Sequence, residues 1–325
     1  MDGFPPHIAE AVRASEARIV ITGSSGWIGK ATLDLLASAL GEDFATRITC
    51  FGSSRRTFQL PSGISIEQRP LAEISSLETA PTIVLHLAFL TKDRAEVMEE
   101  MAYCAANRAI GQTVLDALDS IGAVAIFIAS SGAARFADDP QATPAMRLYG
   151  SLKREHEEIF ATWAEQQRKT AVIARIFNIS GPHINKQDSY ALAMFINDGL
   201  AGRPIAIRSA HRVIRSYVAV GELMSLAFAL LLGGQGRVIR FDSGGEAMEM
   251  QDIAAVVASQ LGALAILRPP LDARITDRYV GDDGLYRALL AEHCIDSVSF
   301  ERQVSETIDF LSLAGTRSPS DRVAI

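Results

Sequence analysis

Cysteine is scarce in this 325-residue sequence: Cys50, Cys104 and Cys294 are the only three. They share no CxxC or metal-finger spacing, which excludes a disulfide scaffold and a zinc finger. Reduced thiols in a cytoplasmic protein are expected. No basic block stands out either. With 31 Lys and Arg against 38 Asp and Glu the net charge is −7, so nucleic acid or an anionic membrane is not expected as the main partner. A local basic pocket remains open. Long apolar runs are absent as well. The longest, Met224 to Leu232, follows Glu222 and falls far short of the ~20 residues that span a bilayer, so it reads as a buried helix. Met1 to Arg18 carries Asp2, Glu10, Glu16 and two prolines and lacks the apolar run of a signal peptide. There are no internal repeats, and with 24 Gly, 12 Pro and 48% hydrophobic residues the collagen-like, low-complexity and disordered classes are excluded. What is present is length enough for about two domains at ~150 residues each.

The first half alternates strand-like and helix-like segments. Arg18 to Thr22, Ile48 to Phe51, Ile64 to Ile66, Thr82 to Leu85, Ala123 to Ile128 and Ala171 to Ile176 read as strands. Gly26 to Leu40, Arg94 to Ser120 and Met146 to Gln167 read as helices between them. The uninterrupted apolar run Ala123 to Ile128 suits a strand buried on both faces. Repeated strand–helix–strand units imply right-handed crossovers and a parallel sheet covered on both faces. The fold class is therefore α/β: a Rossmann-type doubly wound sheet with a smaller, interleaved C-terminal lobe. Residues 17–178 plus 212–242 are expected to form the cofactor lobe and 179–211 plus 243–314 the substrate lobe, with 1–16 and 315–325 as terminal extensions.

Two constellations carry chemistry. The stretch from Ile19 to Gly29 places Gly23, Gly26 and Gly29 where the first strand turns into the first helix. Glycine there permits the tight turn, the approach of a pyrophosphate to the backbone, and close helix–strand packing. The helix N-terminus then offers free N–H groups and a positive dipole end. In the second, Ser130-Ser131 closes the apolar strand, and Tyr149 and Lys153, four residues apart, share one face of a helix. A tyrosine titrates near ~10 when unperturbed, and an adjacent ammonium would move it toward the neutral range. Ser131 could then hold a substrate oxygen while Tyr149 gives or takes its proton.

Taken in order, Thr22-Gly23-x-x-Gly26-x-x-Gly29, His86-Leu87-Ala88, Ser130-Ser131, Tyr149-x-x-x-Lys153, Arg175-x-Phe177-Asn178-x-x-Gly181-Pro182 and Arg215-Ser216-Tyr217-Val218 resemble the extended short-chain dehydrogenase/reductases. The similarity is to their NAD(P)-dependent epimerase/dehydratase group, which acts on nucleotide sugars. It covers roughly residues 17 to 312. The resemblance implies Tyr149 as catalytic acid/base, Lys153 on the nicotinamide ribose and Ser131 at the reacting oxygen. It implies cofactor contacts from Gly23, Ser25, Gly26, Trp27, Ile28 and Gly29, from Leu87 and Ala88, and from Ile176. Asn178, Arg215 and the loop after Pro182, with His183 and Tyr190, would face the nucleotide sugar. A homodimer built on the helices near 94–120 and 146–167 is also implied. Val114, Leu115, Leu118, Ile159, Phe160 and Trp163 could serve that interface or equally cover the sheet.

Departures from the family pattern refine the expectation. Gly52 stands where NAD-preferring members carry an acid at the end of the second strand, and Ser53, Ser54, Arg55 and Arg56 follow. Guanidinium groups can pair with a 2′-phosphate that a carboxylate would repel, so NADP is expected over NAD. Ser131-Gly132-Ala133 lacks the acidic pair of the dehydratases, which disfavours 4,6-dehydration, and lacks the cysteine of some epimerase-reductases. The leading expectation is an NADP-dependent reductase of a nucleotide-linked keto-sugar. The alternatives are a 4-epimerase with tightly held NAD, a reductase of a non-sugar carbonyl and, last, an NADP-sensing binding protein.

Overall fold

The computed structural model describes residues 3–262 and 265–315. Eight strands form the main sheet: β1 (Arg18–Thr22), β2 (Ile48–Gly52), β3 (Arg56–Gln59), β4 (Ser65–Pro70), β5 (Thr82–His86), β6 (Ala123–Ser131), β7 (Thr170–Ile176) and β8 (Val238–Asp242). Their spatial order is β8-β7-β6-β5-β1-β2-β4-β3. All neighbours run parallel except the edge pair β3–β4, which is antiparallel. The order reverses at β1, and the crevice at the carboxyl ends of β1 and β5 is where such sheets bind ligands.

Alternation along each strand divides the core. Ile19 and Ile21 face one layer and Val20 the other. Helices α1 (Pro6–Ala14), α2 (Trp27–Leu40) and α5 (Val220–Leu232) cover the first face; α3 (Glu100–Leu118) and α4 (Pro144–Gln167) cover the second. The stretch read as an amino-terminal extension is thus partly a helix of the first layer. Phe4, Ile8 and Val12 are buried in it, and the Phe4 ring meets Phe228 edge-on at 5.1 Å. On the second face Val114, Leu118, Phe160 and Trp163 are buried against the sheet. Their apolar character covers β-structure and supplies no free surface for a partner.

A separate cluster built from Leu192, Phe195, Ile196, Val213, Ile253, Val257 and Val304 fills the C-terminal part. There His211–Arg215 pairs with Met248–Glu249 and with Asp272–Tyr279. Val213 and Tyr217, within the range grouped with the cofactor lobe from the sequence, are buried in this second cluster. The chain rejoins the first layer only at Val218 and α5. The strand stops at Arg215, and Val218–Ala219 pairs elsewhere, with Ile179–Ser180. Among the described residues no helix is long and apolar enough to cross a membrane. Residues 316–325 of the expected carboxyl-terminal extension lie outside the described residues.

Candidate active site

The turn after β1 is held open by backbone geometry. Gly23 adopts φ +72°, and a Cβ there would lie 2.8 Å from the Ala88 nitrogen, so only glycine lets the turn approach the Leu87-Ala88 segment. Leu87 N donates to Thr22 O at 3.1 Å and Ala88 N to Thr22 Oγ1 at 3.3 Å, while His86 Nδ1 lies 2.9 Å from the same hydroxyl. His86 is therefore a buried brace of the β1–β5 pair. The first turn of α2 follows Gly26 with no side chain capping it, which leaves Trp27, Ile28 and Gly29 to present their N–H groups to an anion. A dinucleotide pyrophosphate fits this cradle. Trp27 itself packs inward, donating Nε1–H to Pro182 O at 2.7 Å and meeting Tyr190 edge-on at 5.4 Å.

Beyond β2, the structure separates the two arginines. Arg55 is exposed and engaged by Glu67 at 3.1 Å and Glu73 at 2.7 Å, so its charge is already matched away from the turn. Arg56 instead reaches the glycine turn and donates from Nη2 to Ser25 Oγ. Its buried Nε has no hydrogen-bond partner. Lys30 lies beside it, and burial and then the Arg56 charge push the Lys30 ammonium below its usual range. Neither Lys30 nor Arg56 forms an ion pair among the described residues. At Gly52 a Cβ would collide with the buried Gln68 amide, which accepts from Ser24 Oγ at 3.2 Å and donates to Ser54 O at 2.9 Å. Ser53 lies in the exposed turn between β2 and β3.

At the carboxyl end of β6, Ser131 stands next to Ile176 across the β6–β7 ladder. Helix α4 approaches closely because Gly150 lies against Ala133 O, where a Cβ would collide. That approach brings the neighbouring Tyr149 phenol to the Ser131 hydroxyl. Lys153, one turn on, is buried, donates Nζ–H to Ala129 O at 2.7 Å and sits 3.9 Å from the Phe89 ring centroid. Burial pulls the Lys153 ammonium down from 10.5 to about 7, opposed by Glu157. The expected lowering of Tyr149 is reversed. Burial first, then Tyr279, pushes its phenol up, with the Ser131 hydroxyl acting the other way. Lys153 Nζ is 5.8 Å from the Tyr149 ring centroid and engages a carbonyl and the Phe89 face. Tyr149 is thus a proton donor at neutral pH.

Of the residues expected at the substrate, Asn178 donates to Ser216 O at 2.9 Å. Arg215 pairs with Asp277 at 2.6 Å and lies 6.0 Å from the Tyr279 ring. Tyr279 in turn reaches Ser131 Oγ at 3.3 Å, so Arg215 lies one aromatic ring away from Ser131. His183 turns away from that centre: its Nε2 is 2.5 Å from Asp34 Oδ2 on α2, and its ring packs on Phe310. Lys186, in the same loop, bridges to Thr91 and Asp93. Tyr279, Glu157, Phe89 and Gln68 escaped the sequence reading. Glu157 continues the four-residue spacing of Tyr149 and Lys153 and could have been found on that signal. Tyr279 comes from a strand 148 positions beyond Ser131, with no local pattern to announce it.

A family model described as the NAD dependent epimerase/dehydratase family matches residues 19–239. A probable UDP-glucuronate 4-epimerase of Rhizobium meliloti is 24% identical over 226 residues, a match spanning 64% of this chain and 66% of that relative. In fold, the chain resembles an epimerase of Methanothermobacter thermautotrophicus with a TM-score of 0.74 at 17% identity, covering 95% of this chain and 96% of the other. It also resembles a UDP-glucose 4-epimerase of Thermus thermophilus in complex with NAD, with a TM-score of 0.67 at 21% identity, covering 91% and 99%. With the glycine cradle and the Ser131–Tyr149–Lys153 group inside the matched range, the chain belongs to the NAD-dependent epimerase/dehydratase family.

Proposed function

We propose that this protein is an NADP-dependent reductase of a nucleotide-linked keto-sugar. The observation that carries the proposal is the placing of Ser131, Tyr149 and the buried Lys153 together at the carboxyl end of β6, where Gly132 and Ala133 stand in place of an acidic pair and the nearby Glu157 carboxylate is already engaged by Ser130 and Arg175. Gly132 cannot be replaced by an acidic residue without displacement, because a Cβ there would lie 2.6 Å from the Phe177 ring. That close contact argues against elimination of a sugar hydroxyl, which needs its own acid and base.

The bound cofactor would supply the hydride. Ser131 and Tyr149 would hold the carbonyl oxygen, and Tyr149 would donate the proton as the alkoxide forms. Lys153 would lie alongside, its stem and ammonium fixed by Ala129 O and Phe89. The NADP preference is supported by Arg56 and Lys30, two cations without carboxylate partners beside Ser25 of the cradle. All three cysteines are free, which suits a reducing compartment, and we place the activity in the cytoplasm. A 4-epimerase would use the same three residues. The name borne by the Rhizobium meliloti relative is the observation in its favour.

The test is oxidation of NADPH by purified protein supplied with a panel of nucleotide-linked keto-sugars, alongside Tyr149→Phe. Stoichiometric consumption of NADPH in preference to NADH, lost in the variant, is the expected result. Interconversion of nucleotide sugars without added cofactor would replace the reductase by the epimerase.

A further inference from the structure

Three hydroxyls meet at the carboxyl end of β6, and the third is not one of the set described above. The Tyr279 phenol lies 3.3 Å from Ser131 Oγ, which accepts the Ala133 backbone N–H at 3.2 Å. Its strand, Asp272–Tyr279, belongs to the small sheet and runs beside His211–Arg215. The centre is therefore closed from the C-terminal side by a residue that neither β6 nor α4 supplies. The ring has little freedom. Phe136 stacks on it at 5.7 Å with planes 24° apart, Phe177 meets it at 4.7 Å, and the Arg215 guanidinium lies 6.0 Å from its centroid.

The partner of this hydroxyl is informative. A tyrosine hydroxyl can donate one hydrogen bond and accept others. Here its partner is the Ser131 hydroxyl, with which it can exchange donor and acceptor roles, so among the described residues no carbonyl or carboxylate claims its proton, and Ser131 would itself face the substrate. Burial pushes the phenol up to about 12, so it is a donor throughout the neutral range. Adjacent oxygens on a sugar ring are separated by about one hydrogen-bond length, ~2.9 Å, close to the separation of the two hydroxyls here. If Ser131 and Tyr149 hold one ring oxygen, Tyr279 is placed to meet its neighbour.

We propose that Tyr279 is a specificity-determining residue that donates a hydrogen bond to the oxygen on the ring carbon next to the reacting one, selecting substrates that carry a hydroxyl there. The inference rests on the keto-sugar reading above.

The experiment is a cycle of two enzymes and two substrates. Wild type and Tyr279→Phe are assayed on a nucleotide-linked keto-sugar and on its analogue deoxygenated at the vicinal carbon. Cofactor-induced thermal stabilisation confirms that the isosteric variant is folded. The removal of one neutral hydrogen bond is expected to lower kcat/KM about tenfold. Wild type should lose a similar factor on the deoxygenated analogue, and the variant should lose nothing further on it. Losses that multiply, or a variant indistinguishable from wild type on the complete substrate, would overturn the role of Tyr279 while leaving the function standing. A wild-type enzyme inactive on every nucleotide sugar would overturn the function itself, and this inference with it.

Discussion

Lys153 is an ammonium placed where water cannot follow, with one carbonyl, one aromatic face and the charge of Glu157 to hold it. Burial disfavours the charged form and brings its titration from 10.5 to about 7. Between those values the unfolded chain binds a proton that the native protein does not. Native stability from this group therefore rises as pH climbs from about 7 toward 10. Below about 7 both states are protonated, and the native state carries the full penalty of the buried charge. Replacing Lys153 by Met removes that penalty. Melting curves of the two proteins should show the variant gaining on wild type at pH 6 relative to pH 9. An equal difference at both pH values would refute the buried ammonium. The pairing of Tyr149 with Lys153 was legible in the sequence because helical spacing is local. The sense of the tyrosine shift was not. It depends on desolvation and on Tyr279, which the chain delivers from far away.

Helix α4 does more than carry Tyr149 and Lys153, for one turn past Lys153 it inserts Glu157, fully buried, against β6, β7 and the edge strand β8. Ser130 of β6 donates to Glu157 Oε1 at 2.5 Å, Arg175 of β7 pairs with the carboxylate through Nε and Nη2 at 2.9 and 2.7 Å, and Arg240 of β8 lies 3.4 Å away. Three strands and a helix are thereby registered on a single carboxylate, next to the lysine and serine of the site. Taking away one member of a buried charge pair leaves the other unmatched, which typically weakens folding by about 3–5 kcal/mol. Glu157→Ala should therefore lower the urea midpoint by an amount corresponding to about 3 kcal/mol or more, whereas a loss below about 1 kcal/mol would show that the cluster contributes little. At this scale the succession of parallel strands and covering helices followed from apolar runs and 3.6-residue spacing. What did not follow was pairing between distant short segments, such as Val218–Ala219 with Ile179–Ser180 or the antiparallel turn-back of β3 onto β4. Their sequences carry too few residues for a period to show, and tertiary contacts decide them.

Across the whole molecule the net charge of −7 works against any phosphorylated ligand at long range. At ~0.15 M salt, however, exposed charges farther apart than ~8 Å are largely screened. Local arrangement decides the outcome, and the cradle holds two cations, Lys30 and Arg56, free of ion pairs among the described residues, while Arg55 is neutralised by Glu67 and Glu73. An additional phosphate on the adenosine ribose would add charge at this spot and nowhere else on the cofactor. Its contribution to binding should consequently be electrostatic and sensitive to salt, whereas contacts shared by NAD and NADP leave the same salt slope in both. Titrations at low and at ~0.5 M NaCl, where the screening length falls well below its value at ~0.1 M, should show NADPH losing affinity more steeply than NADH. In Arg56→Ala the two slopes should converge. Parallel slopes in wild type would mean that the paired cations do not meet a 2′-phosphate, and the sequence preference inferred from Gly52 and its following arginines would fall with them.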